Sequence, residues 1–508
     1  MEINKKNLQE ISPAPGLDIP SLEICNLPEK VLQFGTGVLL RGLPDYFIDK
    51  ANKQGIFNGR VVVVKSTESD SSAFDRQDGL YTVCVRGIEN GKTVQENIIN
   101  ASISRVLSAK TEWQKILDLA KNPELQIILS NTTEVGIRLT DDNIHAQPPS
   151  SFPGKLLAFL HARYVAFGGT PASGMVIVPT ELITDNGDQL LGIIMELAHR
   201  NHLEFAFIEW LENHNIFCNS LVDRIVPGKP NATVLAQLQQ ELGYTDDLLT
   251  MSEVFRLWAI QGNDKVKTVL SFAQADSSLV ITDDITLFKE LKLRILNGTH
   301  TFNCGTAFLA GFNLTREAVG DKVYSRFTTN LMQNEIAPSI PFAIDPAVKK
   351  DFANKVFERF GNPFIDHQWQ SITTQYTSKM KMRNVPLLQR WYELNTTPPP
   401  HMCLGFAAYI LYMHSVENDN GKYYALRNGE KYLITDDQAA WFYETWKQHT
   451  PESMVEAVCK NEAFWETDLS MLPGFVAAVQ HNITRILKEG INAVIKDCIQ
   501  QTQPAHEA

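Results

Sequence analysis

Apolar runs broken by polar turns alternate through the first half of the chain and give way to helical periodicity in the second. The run 30–34 (KVLQF) reads as a buried strand, 39–52 as a helix, and 60–64 (RVVVV), rich in β-branched residues, as a second strand. Together they make a β-α-β unit of ordinary length. Residues 80–85 and 93–98 flank Glu89-Asn90-Gly91, a hairpin signal. Residues 126–130 (QIILS) and 175–178 read as short strands separated by a helix over 155–167, and the alternation continues to 279–282. Ahead of the first strand, residues 1–28 place Pro13, Pro15, Pro20 and Pro28 among polar residues, which predicts an extended arm. From about Thr286 the periodicity is that of long helices, as at 437–448 and 473–488, with few strand candidates. The pattern predicts an α/β domain over 1–280 followed by a mainly α-helical domain over 281–508.

With 508 residues, 44% hydrophobic and 20% charged, the chain is long enough for two or three domains with substantial cores. Its net charge of -12 and the lack of a basic stripe argue against a nucleic-acid partner. No apolar run reaches the roughly 18 residues of a membrane span, and the first residues lack a signal-type apolar core, so no membrane partner and a cytoplasmic location are expected. Seven cysteines are scattered and form no C-x-x-C pair, and twelve histidines show no ligand spacing. Neither a disulfide framework nor a metal is expected.

The segment QFGTGVLLRG sets Gly35, Gly37 and Gly42 directly after the first strand and into the following helix. Glycines there let the main chain, from Phe34 through Thr36, approach a pyrophosphate at a helix amino terminus, as in a Rossmann-type dinucleotide-binding domain. The third fingerprint glycine is replaced by Leu40. The acidic residue that commonly ends the second strand and holds the ribose is replaced by Lys65, a cation that suits a 2′-phosphate, so physics leaves NAD and NADP both open. Three polar segments follow apolar runs: SNTTEVG (130–136) with Asn131, VPTELITDNG (178–187) with Glu181, Asp185 and Asn186, and CNSLVDRIVPG (218–228), where Asp223 and Arg224 interrupt an apolar strand.

LKLRILNGTHT (291–301) carries K-x-x-x-x-N-x-x-H. At about 100° per residue, Lys292, Asn297 and His300 fall within an arc of roughly 140° and share one helix face. A lysine shuttles protons near neutrality only when burial or a neighbouring cation depresses it, and an amide with an imidazole suits an oxygen that alternates between carbonyl and hydroxyl. That chemistry needs a hydride carrier. A Y-x-x-x-K at Tyr443 and Lys447 lies in the helical half, far from the glycine turn, and reads as coincidence.

QFGTGVLLRG, SNTTEVG, TELITDNG, LVDRIVPG, LKLRILNGTHT, RFGNPFIDH (359–367) and Ser378-Lys379 occur in an order and spacing that resembles the polyol-specific long-chain, or mannitol, dehydrogenases across nearly the whole chain. QDGLYT (77–82), ELI-x-x-NGD (181–188) and LVDRIV resemble the members that act on linear sugar acids. The resemblance implies an oxidoreductase that uses NAD and no metal. It implies Lys292 as general acid/base, Asn186 and Asn297 as donors to the reacting oxygen, and His300 as the residue positioning substrate hydroxyls. Asp223 would orient or tune Lys292, and Lys379 would contact substrate. Phe34, Gly35, Thr36, Gly37, Lys65, Asn131 and Asn186 are the expected cofactor residues. Glu181 joins Lys379 and Arg383 as substrate candidates, and a substrate carboxylate would find its cation among Lys379, Lys381, Arg383 and Arg294. A sister activity on fructuronate or mannitol would keep the same catalytic set, whereas a non-catalytic NAD(P)-binding protein would have no use for it.

Overall fold

A computed structural model describes residues 1–132 and 136–501, which divide into two compact units, 1–87 with 93–285 and 88–92 with 286–508. In the first unit, six parallel strands lie in the order Ile103–Ser108, Arg60–Lys65, Glu29–Phe34, Ile127–Ser130, Val176–Pro179, Ile216–Phe217. Numbered along the chain this is 3-2-1-4-5-6, the doubly wound order whose direction reverses between the first and fourth strands. The strands read as unbroken apolar runs because both faces are covered. Leu32, Phe34, Val62, Val64 and Ile128 pack one face against Phe152–Phe167, Asn186–Arg200 and Phe205–His214. Val31, Val61, Val63, Leu129 and Val178 pack the other against Pro44–Lys53 and against Trp258, Ile260 and Phe272.

Three details differ from expectation. The helix expected over 39–52 is two helices, Val38–Gly42 and Pro44–Lys53, broken at Leu43 (φ -134°, ψ -74°). Pro44 excludes the helical conformation from the residue before it and then opens the next helix at its first position. The arm 1–28 is not extended: it folds into the short 3-10 turns Leu8–Glu10 and Leu22–Asn26 and the strand Leu17–Asp18. Its Ile3, Leu8, Ile11, Ile24 and Cys25 are buried with Leu80, Cys84, Ile99 and Leu249. Last, the strand carrying Asp223 is Ser220–Asp223, so Arg224 lies just beyond it.

The second unit is mainly helical around Pro400–Tyr412, which is buried on all sides. Contrary to its helical periodicity, it includes an antiparallel sheet, Glu417–Asp419, Lys422–Arg427 and Glu430–Ile434. The two turns are Asn420-Gly421 (φ 51° and 83°) and Asn428-Gly429 (φ 52° and 84°), the left-handed pair that a two-residue hairpin requires. Three helical stretches widen into π-helix, at Leu291–Gly298, Leu331–Ile336 and Met380–Asn384. All seven cysteines are buried.

Candidate active site

At the carboxyl end of the first strand the chain turns at Gly35 with φ +126°, a region that L side chains rarely adopt. A Cβ there would stand 3.0 Å from both the Asn131 carbonyl oxygen and Leu40 Cδ1, so Leu40, where a fingerprint glycine is usual, seals the turn from below. Gly37 is different. It precedes the helix Val38–Gly42 with φ -62°, and a Cβ would meet nothing within 4 Å. That opening leaves main chain accessible to a ligand, as a dinucleotide pyrophosphate requires. Gly42 serves packing, since a Cβ would lie 2.8 Å from Val226. Lys65 ends the second strand, buried, with Nζ 3.4 Å from Ser71 Oγ.

The polar residues after the fourth and fifth strands are spent mostly on one another. Asn131 Nδ2 donates to the Thr180 carbonyl (3.1 Å) and hydroxyl (2.9 Å). Glu181 accepts from Ser130 Oγ (3.1 Å) through one oxygen and from the Thr132 amide (2.9 Å) and hydroxyl (3.0 Å) through the other. Burial raises the Glu181 carboxyl, while those donors pull it back down. It was expected on the substrate; with both oxygens engaged and the residue 3% exposed, it braces the loop instead. The rest of that motif, residues 133–135, lies outside the described residues.

Asn186 departs furthest from expectation. Its Nδ2 donates to the carbonyls of Pro179 (3.1 Å), Glu181 (3.0 Å) and Ser220 (3.1 Å), and its Oδ1 accepts from the Ser220 amide (2.9 Å). At 1% exposure it staples the fifth strand of the large sheet to the strand Ser220–Asp223 of a second sheet. An amide so saturated has no hydrogen left for a reacting oxygen or a cofactor. Asp223 is buried at the end of that second strand.

In the helical unit, Lys292 and Asn297 both lie in the π-helical stretch Leu291–Gly298, and each is half-buried. The α-helical spacing assumed from sequence therefore does not hold. A π-helix closes i→i+5 hydrogen bonds, so residues five apart come round to one face, and Lys292 and Asn297 have that separation. His300 follows on the α-helix Thr299–Leu309, 8% exposed and stacked on Phe360 at 4.0 Å between ring centres. His367 and Trp369 meet its edge at 5.2 and 5.7 Å. Burial holds the His300 imidazole well below its usual range, and His367, Arg359, Arg383 and Lys379 push the same way, so it is neutral at physiological pH. Its Nδ1 is buried without a hydrogen-bond partner.

The four candidate cations separate. Arg294 is fixed, donating through Nη1 to the carbonyls of Met382 and Arg383 (both 2.8 Å) and through Nε to Glu290 (3.0 Å). Lys381 pairs with Glu466 at 2.6 Å. Lys379 donates to the Ile372 carbonyl (2.9 Å), and burial, then Arg383, lowers its ammonium. Arg383 reaches Thr301 Oγ1 at 3.2 Å, while its Nε is buried and unpartnered.

Sequence reasoning missed Asn384. It is fully buried, neither side-chain polar atom has a partner, and its Oδ1 lies 3.2 Å from where a Gly298 Cβ would be. No motif marks it. Phe360 and His367 were signalled only as part of RFGNPFIDH, and Trp369 not at all.

Comparison with known proteins gives the geometry its relatives. Residues 29–273 match the mannitol dehydrogenase Rossmann domain and residues 284–487 the mannitol dehydrogenase C-terminal domain. Altronate oxidoreductase of Bacillus subtilis is 36% identical over 480 residues, 93% of this chain and 96% of that protein. Altronate oxidoreductase of Shigella flexneri is 36% identical over 92% of this chain and 96% of its own length. In fold, the chain is similar to Pseudomonas fluorescens mannitol 2-dehydrogenase in ternary complex with NAD and D-mannitol (TM-score 0.68, 23% identity, 99% of this chain and 100% of that one). It is also similar to a substrate-free D-sorbitol dehydrogenase (TM-score 0.76, 18% identity, 97% and 100%).

Proposed function

Because the chain belongs to the mannitol dehydrogenase family of oxidoreductases acting on CH–OH groups, we propose that it interconverts D-tagaturonate and D-altronate with NAD, by hydride transfer at C3. The observation that carries the sugar-acid substrate is the surround of His300. Arg359, Arg383 and Lys379 all act on one neutral imidazole, and Arg383 is bonded to Thr301, the residue next to it; this positive local field suits an anion better than a neutral polyol. The names of the relatives, altronate oxidoreductases at 36% identity, support the same substrate.

The cofactor fits the glycine turn: Gly35 sets the backbone bend and Gly37 leaves its main chain open. When bound, NADH supplies the hydride. Lys292, as the ammonium, gives a proton to the C3 oxygen as the carbonyl is reduced, and as the free amine it takes that proton back in the oxidative direction. Asn297, on the same π-helical face, donates to that oxygen through its amide. His300, neutral and wedged by Phe360 and Trp369, offers a ring nitrogen to a substrate hydroxyl without competing for the proton. Asn186 holds the strand ends and has no part in the proton path.

The test is a screen of tagaturonate, fructuronate and fructose against NADH and NADPH in parallel. Tagaturonate with NADH should lead fructose by roughly 10⁴-fold in kcat/KM, the discrimination that a site built to pair a polar group attains against a substrate lacking it. A preference for fructose would overturn the sugar-acid reading, and a preference for NADPH would assign Lys65 to a 2′-phosphate.

A further inference from the structure

We infer that Arg383 is the residue that receives the substrate's carboxylate and so selects sugar acids over neutral sugars, an inference that rests on the sugar-acid reading above. The argument starts from how its guanidinium is held. The main chain around it is clamped by the buried Arg294, which donates to the Met382 and Arg383 carbonyls, groups of the π-helix Met380–Asn384. Its side chain is tied through Nη1 to Thr301, the residue after His300. Backbone and side chain are therefore both fixed to the helix that carries Lys292, Asn297 and His300.

So placed, the guanidinium has donors to spare. Nε is buried with no partner, which costs free energy unless a ligand or water satisfies it. A planar fork matches a carboxylate with two parallel hydrogen bonds, and no lysine can do this. The other three candidate cations are committed: Arg294 to main-chain carbonyls and Glu290, Lys381 to Glu466, and Lys379 to the Ile372 carbonyl with Asp436 acting on it. Lys379 then stands beside the fork and is left for a hydroxyl.

The experiment measures competitive inhibition of tagaturonate reduction by altronate and by altritol, its counterpart with CH2OH in place of the carboxylate. It compares wild type, Arg383→Gln and Arg383→Lys, with melting temperature as the control for folding. Wild type should prefer altronate. In Arg383→Gln that preference should collapse by about 10²-fold, the value of a paired charge-assisted contact, with the altritol constant and the KM for NADH unchanged. Arg383→Lys, which keeps the charge and loses the fork, should fall between the two. An unchanged altronate-to-altritol ratio in either variant overturns the inference while leaving the proposed function standing, as does equal weakening of both inhibitors. A wild type inactive on tagaturonate and indifferent to altronate overturns both.

Discussion

Truncating Asn186 to alanine separates a structural amide from a catalytic one. The side chain makes four hydrogen bonds, three from Nδ2 to the carbonyls of Pro179, Glu181 and Ser220 and one into Oδ1 from the Ser220 amide. The carbonyls lose least on truncation: the Pro179 oxygen keeps the Ser220 hydroxyl (2.5 Å), and each retains lone pairs that tolerate partial satisfaction. The buried Ser220 amide is left unpaired, which costs about 1–3 kcal/mol, and the two Nδ2 hydrogens add roughly 0.5–1.5 kcal/mol each. A total near 3 kcal/mol in a unit of this size lowers Tm by roughly 6 °C or more. Asn186→Asp should be worse, since it sets a carboxylate against carbonyl oxygens. The assay pairs thermal unfolding with turnover measured well below the Tm of the variant. The expected outcome is a clear loss of Tm with kcat within about tenfold of wild type, well short of the 10²-fold or more that losing a donor to the reacting oxygen costs. An unchanged Tm with turnover down by that larger factor would refute the reasoning and return the amide to the reacting oxygen.

The two glycines of the turn should part company. Gly35→Ala meets Asn131 and Leu40 at a strained φ and should cost about 1–3 kcal/mol by thermal unfolding, whereas Gly37→Ala should unfold like wild type but raise the KM for NADH. Burial pushes the Asp276 carboxyl up, but Arg256 (2.8 Å), Lys50 (2.7 Å) and the Ser278 amide outweigh it and hold it at about 2. A depressed carboxylate stabilises the fold fully above its unfolded pKa of about 3.9 and loses that contribution as pH falls toward 2. Asp276→Asn should therefore be less stable than wild type by roughly 2 kcal/mol at neutral pH, with denaturation curves converging between pH 4 and about 2. Arg294→Met removes the clamp on the π-helix Met380–Asn384 and strands Glu290; kcat/KM for tagaturonate should fall at least about tenfold while NADH affinity, by fluorescence titration, is kept.

The doubly wound sheet was legible because its strands are buried on both faces and read as plain apolar runs, RVVVV at 60–64 and QIILS at 126–130. The break at Leu43 was legible in principle, since a proline follows it, and so was the small sheet of the helical unit, whose two Asn-Gly turns carry the same signal as Asn90-Gly91. Helical periodicity on either side masked them. The π-helix Leu291–Gly298 leaves no mark, because LKLRILNG suits an α-helix equally well and only tertiary packing widens it. Asn186 and Glu181 show the harder limit. A polar residue after a strand end has the same appearance whether it awaits a ligand or ties two strand ends together, and the difference lies in Ser220, Ser130 and Thr132, which are distant in sequence.

The most direct measurement is turnover of tagaturonate by Lys292→Ala, with NADH binding followed separately by fluorescence. Loss of the proton shuttle should lower kcat by about 10²-fold or more while the dissociation constant for NADH stays that of wild type. A variant that folds, binds NADH and keeps more than about a tenth of wild-type turnover would place the acid/base group elsewhere.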